Sequence, residues 1–419
     1  MALLNTKLDI RTDVKWAFTY FAIVVLLGIF MRSATVVAYP FTFNYRNIVH
    51  THSHLALLGW VYGLLSALLV RTFIRFPQKN IDEVGENSWG IRIINRRLFN
   101  YRLLFYITQF SVLGMLFSFP FQGYGAVSIS FSSVFIICTY IFARFYFKHS
   151  EKDVSLLKRA VKGEDFVKMG VFYLVLSSIG IWLMPVMIVK FGKYSDMYMC
   201  AIAFFLHFQY NGWMLSSLMG LFIKKYCWAE RYPELLKKVF IGFHIGIIGT
   251  LFVSWLGYFG YSIYYVVGAV SALMWLAAVC VIGYLYLKHK ERTLLASIFI
   301  GAFAVKVLLM LIGTLPVLTQ YLFTNMDLLI TYLHFNFLGI ITIGLFLFLE
   351  EVYKVNRYLL YIYLFAFFST ELLIAYKGFA IVFQYPILTE LYDWLFVATA
   401  LFYLPAIGWR IGCYKIKYI

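Results

Sequence analysis

Apolar runs of about twenty residues recur along this whole chain, and that recurrence limits its possible folds more than any other feature. A helix rising about 1.5 Å per residue needs roughly 20 apolar residues to cross the hydrocarbon core of a bilayer. Inside lipid, every backbone N–H and C=O must also find a partner within the protein. The runs predict helices over residues 15–38, 48–71, 101–122, 124–146, 168–190, 195–223, 237–258, 262–287, 294–318, 327–350, 356–378 and 389–412. This is the pattern of an all-α polytopic membrane protein with twelve spans. No polar block is long enough for a separate domain, so residues 1–419 read as a single transmembrane domain.

The positions of the charges test that count, because cytoplasmic loops carry an excess of Lys and Arg. Twelve alternating spans place all but six of the 36 basic residues on one side, together with both termini; the six are Arg32, Arg46, Lys190, Lys193, Lys306 and Lys377. A wrong count would scramble that partition. The net charge of +17 therefore belongs to short loops, and nucleic acid is not an expected partner. With 63% hydrophobic and 13% charged residues, the expected solvent is a lipid bilayer. The first run leads directly into the second without a small-residue cleavage site, so it reads as a span and not as a removable signal. Cys138, Cys200, Cys227, Cys280 and Cys413 show no metal or redox spacing and are expected as small core residues.

Ionisable side chains within spans are costly and mark functional sites by default. The second span begins Asn47-Ile-Val-His50-Thr-His52-Ser-His54-Leu-Ala-Leu-Leu-Gly59-Trp60. The sixth contains His207-Phe-Gln-Tyr-Asn-Gly212-Trp213, and the tenth His334-Phe-Asn-Phe-Leu-Gly339. Each reads His, four residues, Gly, and the three helices lie four spans apart, as in a four-helix unit repeated three times. All three run from outside to inside, which puts His54, His207 and His334 in the outer half or near the midplane. They are expected to converge on one metal or cofactor site. Positions four apart share a helix face, so His50 and His54 stack while His52 faces a neighbouring helix. The glycines fit close helix packing, with Gly59 and Gly63 forming a G-x-x-x-G, or equally the approach of a flat macrocycle. Lys306 and Glu371, deep in the ninth and eleventh spans, are expected either to pair or to mark a proton or ion route; Tyr210 lies near His207 and is a candidate for the same route. His244 is expected as a core histidine, and His149 and His289 as solvated ones.

Twelve spans with histidines on the second, sixth and tenth resemble the catalytic subunit I of the heme-copper oxidase and nitric oxide reductase superfamily. Arg46-Asn-Ile-Val-His50-Thr51 looks like the Arg-x-x-His-Thr start of the second helix in some members. His54-Leu-Ala-Leu-Leu-Gly59-Trp60 looks like the second helix of short, divergent relatives, and His334-Phe335-Asn336 like the His-Phe-His of the tenth. The resemblance covers the whole chain in topology and only these motifs in sequence. It implies three four-helix arcs, a heme, an oxidoreductase-like role in a respiratory chain or in O2 or NO handling, an electron donor or partner subunit, and a bacterial inner membrane.

Departures from the family refine that implication. Asn336 stands where a second heme ligand would be, and an amide cannot replace imidazole on iron, which argues against two normally ligated hemes. The seventh helix has only His244 where the family has a histidine pair, and the sixth lacks the family's His-Pro-Glu-Val-Tyr run, which argues against the usual copper site. The resemblance thus implies one heme between the second and tenth helices, with His54 and His334 axial. Alternatives put His207 across an open face of the iron, or His54, His207 and His334 around copper or zinc. Arg46 and Arg32 would meet the propionates, with His50 and His52 nearby. A non-catalytic sensor or assembly protein on the same scaffold, and a 12-helix transporter or channel using Lys306 and Glu371, are the competing readings.

Overall fold

The computed structural model describes residues 4–6, 8–78, 89–151 and 160–412; Cys413, Lys415 and Lys417 lie outside them. The described chain is overwhelmingly helical, with one short antiparallel pairing of β1 (Leu4–Thr6) and β2 (Phe76–Gln78). Eleven helices among the described residues are long and apolar enough to cross a membrane. They are α1 (Arg11–Ser33), α2 (Tyr45–Phe73), α3 (Trp89–Gln122), α4 (Ala126–His149), α5 (Gly163–Phe191), α7 (Pro233–Trp255), α8 (Ser262–Leu287), α9 (Leu294–Ile312), α10 (Met326–Leu349), α11 (Arg357–Val382) and α12 (Leu391–Gly412). Residues 196–225 form a further helical rod, α6, of similar length. His207, Gln209, Tyr210 and Asn211 interrupt its apolar run, and it is not among the eleven.

Most expected boundaries lie within a few residues of those observed. The ninth is an exception: α9 stops at Ile312, and Pro316–Thr324 forms a separate short helix where one span to 318 was expected. Proline fixes its own φ and lacks a backbone donor, which suits the first turn of a new helix and not the interior of an old one.

Contacts group the chain into two units, the first being Met1–Asp153 with Glu351–Tyr363 and Thr399–Ile419, the second Val154–Glu350 with Leu364–Ala398. In the first unit α1 packs on α2, α2 on α3, α3 on α4, and the end of α12 returns to α1. Its core stacks Phe18 and Phe21 against Trp60, Trp409 and Tyr363. Buried Asp13 is held by Arg102 at 2.6 Å and by the Tyr101 hydroxyl at 2.8 Å, which ties the start of α1 to α3. In the second unit α5 packs on α6, α6 on α7, α7 on α8, α8 on α9 and α9 on α10.

Helices α2 and α10 are the inner rods of their units. Their central windows are 78% and 67% buried, against 33% to 50% for α1, α3, α4, α5, α8, α9, α11 and α12. Large apolar side chains on the outer helices stay exposed, Phe117, Val189, Phe365 and Leu372 among them, as a lipid-facing surface requires.

Candidate functional site

The three histidine-bearing rods share a construction that exceeds their shared motif. Each starts at a polar N-cap whose side-chain oxygen accepts a backbone N–H left over in the first turn: Asn44 from Asn47, Ser195 from Tyr198, and Asn325 from Asp327 and Leu328. Each then changes from α to π winding immediately after its histidine. The π segments are Leu55–Tyr62 after His54, Phe208–Leu215 after His207, and Phe335–Ile341 after His334. π winding is rare and concentrates at functional sites, because the wider turn re-aims side chains and loosens backbone pairing. Beyond it the rods are sealed: Leu58 to Val70, Phe208 to Ile223 and Gly339 to Leu349 are buried at every position. On the N-terminal side of the histidines, partly exposed residues predominate.

The glycine five residues after each histidine lies against an aromatic ring. A Cβ on Gly59 would come within 2.6 Å of Tyr20, on Gly212 within 2.6 Å of Tyr173, and on Gly339 within 2.6 Å of Phe367. Close packing is thus what these glycines do, each facing a side chain of a neighbouring helix. The expected G-x-x-x-G is half used, since a Cβ on Gly63 would touch nothing within 4 Å.

In the first unit, Nδ1 of His54 lies 2.8 Å from the carbonyl oxygen of His50, one turn back. Donation by Nδ1–H to that carbonyl fixes the tautomer and leaves the lone pair on Nε2, which meets no hydrogen-bond partner among the described residues. The ring packs on Phe119 at 4.4 Å, with Tyr124 at 5.9 Å. His50 shares this face, 4.7 Å from the Tyr124 ring. His52 points away, its Nδ1 3.0 Å from the carbonyl oxygen of Val24 on α1, as the helical repeat predicts. Arg32 is half-buried in the last turn of α1, and Arg46 is exposed in the first turn of α2.

In the second unit, Nδ1 of His334 lies 3.3 Å from Oε1 of Glu371 on α11, a close charge contact without hydrogen-bond geometry, and Nε2 again meets no partner among the described residues.

His207 is built differently, and this corrects its expected role as a metal or iron-facing residue. Its Nε2 donates to the carbonyl oxygen of Ile247 at 2.8 Å, and its Nδ1 lies 3.1 Å from Nδ2 of Asn211 and 3.2 Å from the Ser254 hydroxyl. Both nitrogens are committed to protein. The reason lies in α7, whose regular winding is interrupted at Thr250, and His207 satisfies a carbonyl in the turn before that interruption. Among the described residues, no three His, Cys, Asp or Glu side chains are gathered as a metal site.

The expected Lys306 and Glu371 pair is also corrected, for Glu371 faces His334. Lys306, fully enclosed, donates to Oδ1 of Asn211 at 2.5 Å, lies 2.9 Å from the sulfur of Met310, and sits 3.8 Å from the Trp275 ring centre. Asn211 thus links Lys306 to His207. Tyr210 is buried beside them, 5.9 Å from the Phe337 ring. Asn336, read as a lost ligand, donates through Nδ2 to the carbonyl oxygen of Tyr332 at 2.6 Å. His244 is buried among Phe166, Phe240 and Phe243, with Nδ1 3.2 Å from the Tyr173 hydroxyl.

Sequence reasoning missed Asn211, Ser254 and the three π segments. The polar alternation His207, Gln209, Asn211 within an apolar span was the available signal for the first of these. No family model and no curated protein matches the chain.

Proposed function

We propose that this chain is a heme-binding membrane protein of the heme-copper oxidase subunit I-like kind, with His54 in the first unit and His334 in the second as candidate iron ligands, each considered within its own unit, and a role in redox chemistry or O2 or NO handling. One observation carries the reading. Of the three motif histidines, these two leave Nε2 without a partner among the described residues, His54 with its Nδ1 on the carbonyl of His50 and His334 with its Nδ1 near the Glu371 carboxylate, and an open Nε2 is what a neutral imidazole needs to bind a metal. Heme would supply an iron that changes oxidation state and, with a free position, binds diatomic gases. The chain's own part is to present imidazoles with Nε2 open, with Arg46 and Arg32 as cations for the propionates.

The topology in this reading is twelve spans in three four-helix arcs, α6 included, with both termini in the cytoplasm of a bacterial inner membrane. The partition of Lys and Arg supports it, as does the neighbour-to-neighbour packing of successive helices within each unit. Copper or zinc at His207 has no place in it, since both ring nitrogens are taken. A transporter using Lys306 and Glu371 as a coupling pair loses its premise, because each has a different neighbour.

The test is an absorption spectrum and iron analysis of the purified protein. A Soret band is expected, weakened or abolished in His54→Ala and in His334→Ala. A colourless, iron-free protein overturns the proposal. Consumption of oxygen or nitric oxide by the pigmented protein separates an enzyme from a sensor or assembly protein on the same scaffold.

A further inference from the structure

Lys306 is the basic side chain whose place is hardest to explain by topology, since it is wholly enclosed within α9. No carboxylate lies within ion-pair distance of it among the described residues; its Nζ meets Oδ1 of Asn211 at 2.5 Å, the sulfur of Met310 and the face of Trp275. A charge at such a depth is costly, so the groups that can take its proton matter. Asn211 touches a second base. Its Nδ2 lies 3.1 Å from Nδ1 of His207, whose Nε2 donates to the carbonyl oxygen of Ile247 at 2.8 Å. The other titratable side chain facing these groups is Tyr210, beside the Asn211 amide and with its ring centre 5.9 Å from Nζ. From α7 they are faced by the Ser254 hydroxyl, 3.2 Å from Nδ1, and from α8 by the Trp275 ring.

The donors and acceptors of this chain of contacts run in one direction. An ammonium has no lone pair, so Lys306 holds Oδ1 on its own side and leaves Nδ2 to face His207. His207 then accepts at Nδ1 and keeps its ring proton on Nε2, where the Ile247 carbonyl takes it. A second proton on the ring would set Nδ1–H against the Asn211 N–H, and turning the amide over would set that N–H against the ammonium. One amide cannot show its oxygen to both neighbours. We propose that Lys306, Asn211 and His207 form a buried binding site for a single proton, held on Lys306 or on His207 according to which way the Asn211 amide is turned. In the second state His207 is protonated on both nitrogens, Nδ1–H donates to Oδ1, and Nδ2 donates to the lone pair of a neutral Lys306 amine. One proton has left Nζ and one has reached Nδ1, so the buried charge stays at +1 and no electron moves. An interior that pays for one charge is not asked to hold two. Every contact involved lies within the second unit, and none involves His54 or His334.

Nitrogen NMR of the full chain in lipid, with isotope-labelled histidine, provides the test; the His207 signals are those lost in His207→Gln. In the wild type Nε2 is expected protonated and Nδ1 bare from about pH 8 to about pH 5, the range in which an ordinary histidine gains its second proton. Asn211→Asp offers an acceptor to both neighbours at nearly the same shape, so the bare-nitrogen signal of Nδ1 should be lost throughout that range. Lys306→Met removes the group that holds Oδ1 toward α9, and the bare signal should then be lost on acidification. Loss in either variant at a pH where the wild type keeps the signal supports the shared proton, so the test survives if the other variant fails to accumulate. A bare Nδ1 in both variants overturns it, because the ring would then be set by Ile247 and Ser254 without regard to Lys306. A doubly protonated His207 in the wild type, with labelled lysine showing an ammonium at Lys306, overturns it as well.

Discussion

Helices α6 and α10 are alike up to the imidazole and differ in what surrounds it. Both are capped at the N-terminal end by a polar side chain, both turn to π winding one residue after the histidine, both place a glycine against an aromatic ring, and both are buried beyond that glycine toward the C-terminal end. Yet His207 spends both nitrogens on Ile247, Asn211 and Ser254, while His334 leaves Nε2 open with Glu371 behind it. A repeated motif therefore fixes a backbone and a depth. Partners contributed by other helices decide whether the imidazole on it is a ligand or a brace.

The largest expected effect would break that comparison outright. His334→Ala and His54→Ala should weaken or remove the Soret band, whereas His207→Ala should keep the pigment in whatever protein folds and lower the melting temperature instead. Deleting His207 leaves the Ile247 carbonyl with only the longer bond from the Thr250 hydroxyl and takes a partner from the buried Asn211 amide nitrogen, at about 1–3 kcal/mol for a group left unsatisfied. Pigment lost in His207→Ala at unchanged melting temperature would make His207 a ligand after all.

Next in size is the brace itself. Asn211→Leu removes the acceptor of the buried Lys306 amine and a hydrogen-bond partner of His207, and should destabilise by about 1–3 kcal/mol for each group left without that bond. Lys306→Met leaves only the Asn211 Oδ1 without its donor and puts an apolar chain of similar length among Met310 and Trp275, so its loss should be smaller. Thermal melts of the two variants in detergent check the order. Equal losses in both would mean that Lys306 contributes to stability on its own account.

A third comparison lies within α2. Gly59→Ala drives a methyl group into the Tyr20 ring and should cost about 1–3 kcal/mol, while Gly63→Ala meets open space and should be neutral or slightly stabilising. The same melts decide it, and Gly63→Ala destabilising as much as Gly59→Ala would show that the helix passes closer to a neighbour there than its backbone suggests.

Much of the architecture was legible because lipid imposes a coarse code. Runs of apolar residues give the spans, and the boundaries of α8 at 262–287 match the expected ones. The opposite faces of His52 and His54 followed from the helical repeat alone. The difference between His207 and His334 was not legible, since it depends on a carbonyl in α7 and a carboxylate in α11, more than 35 residues away in sequence in each case. The interruption of α7 at Thr250 has no Pro to announce it, and π winding leaves no residue code. The polar run that keeps α6 out of the clearly apolar helices includes Asn211, which links His207 to Lys306 inside the second unit.

The smallest effect separates the two ion contacts made between α10 and α11. Lys377 meets Asp327 at 3.1 Å with side chains 23% and 19% exposed, near the ends of the helices, while Glu371 meets His334 at 9% exposure for the acid. Partial solvation weakens an ion pair, and exposed pairs contribute roughly 0–1 kcal/mol. Lys377→Met should therefore change the melting temperature little, while Glu371→Gln, at the more buried contact, should change it more. Thermal melts of the two variants in detergent check the order, and equal changes in both would mean that burial does not separate these two contacts.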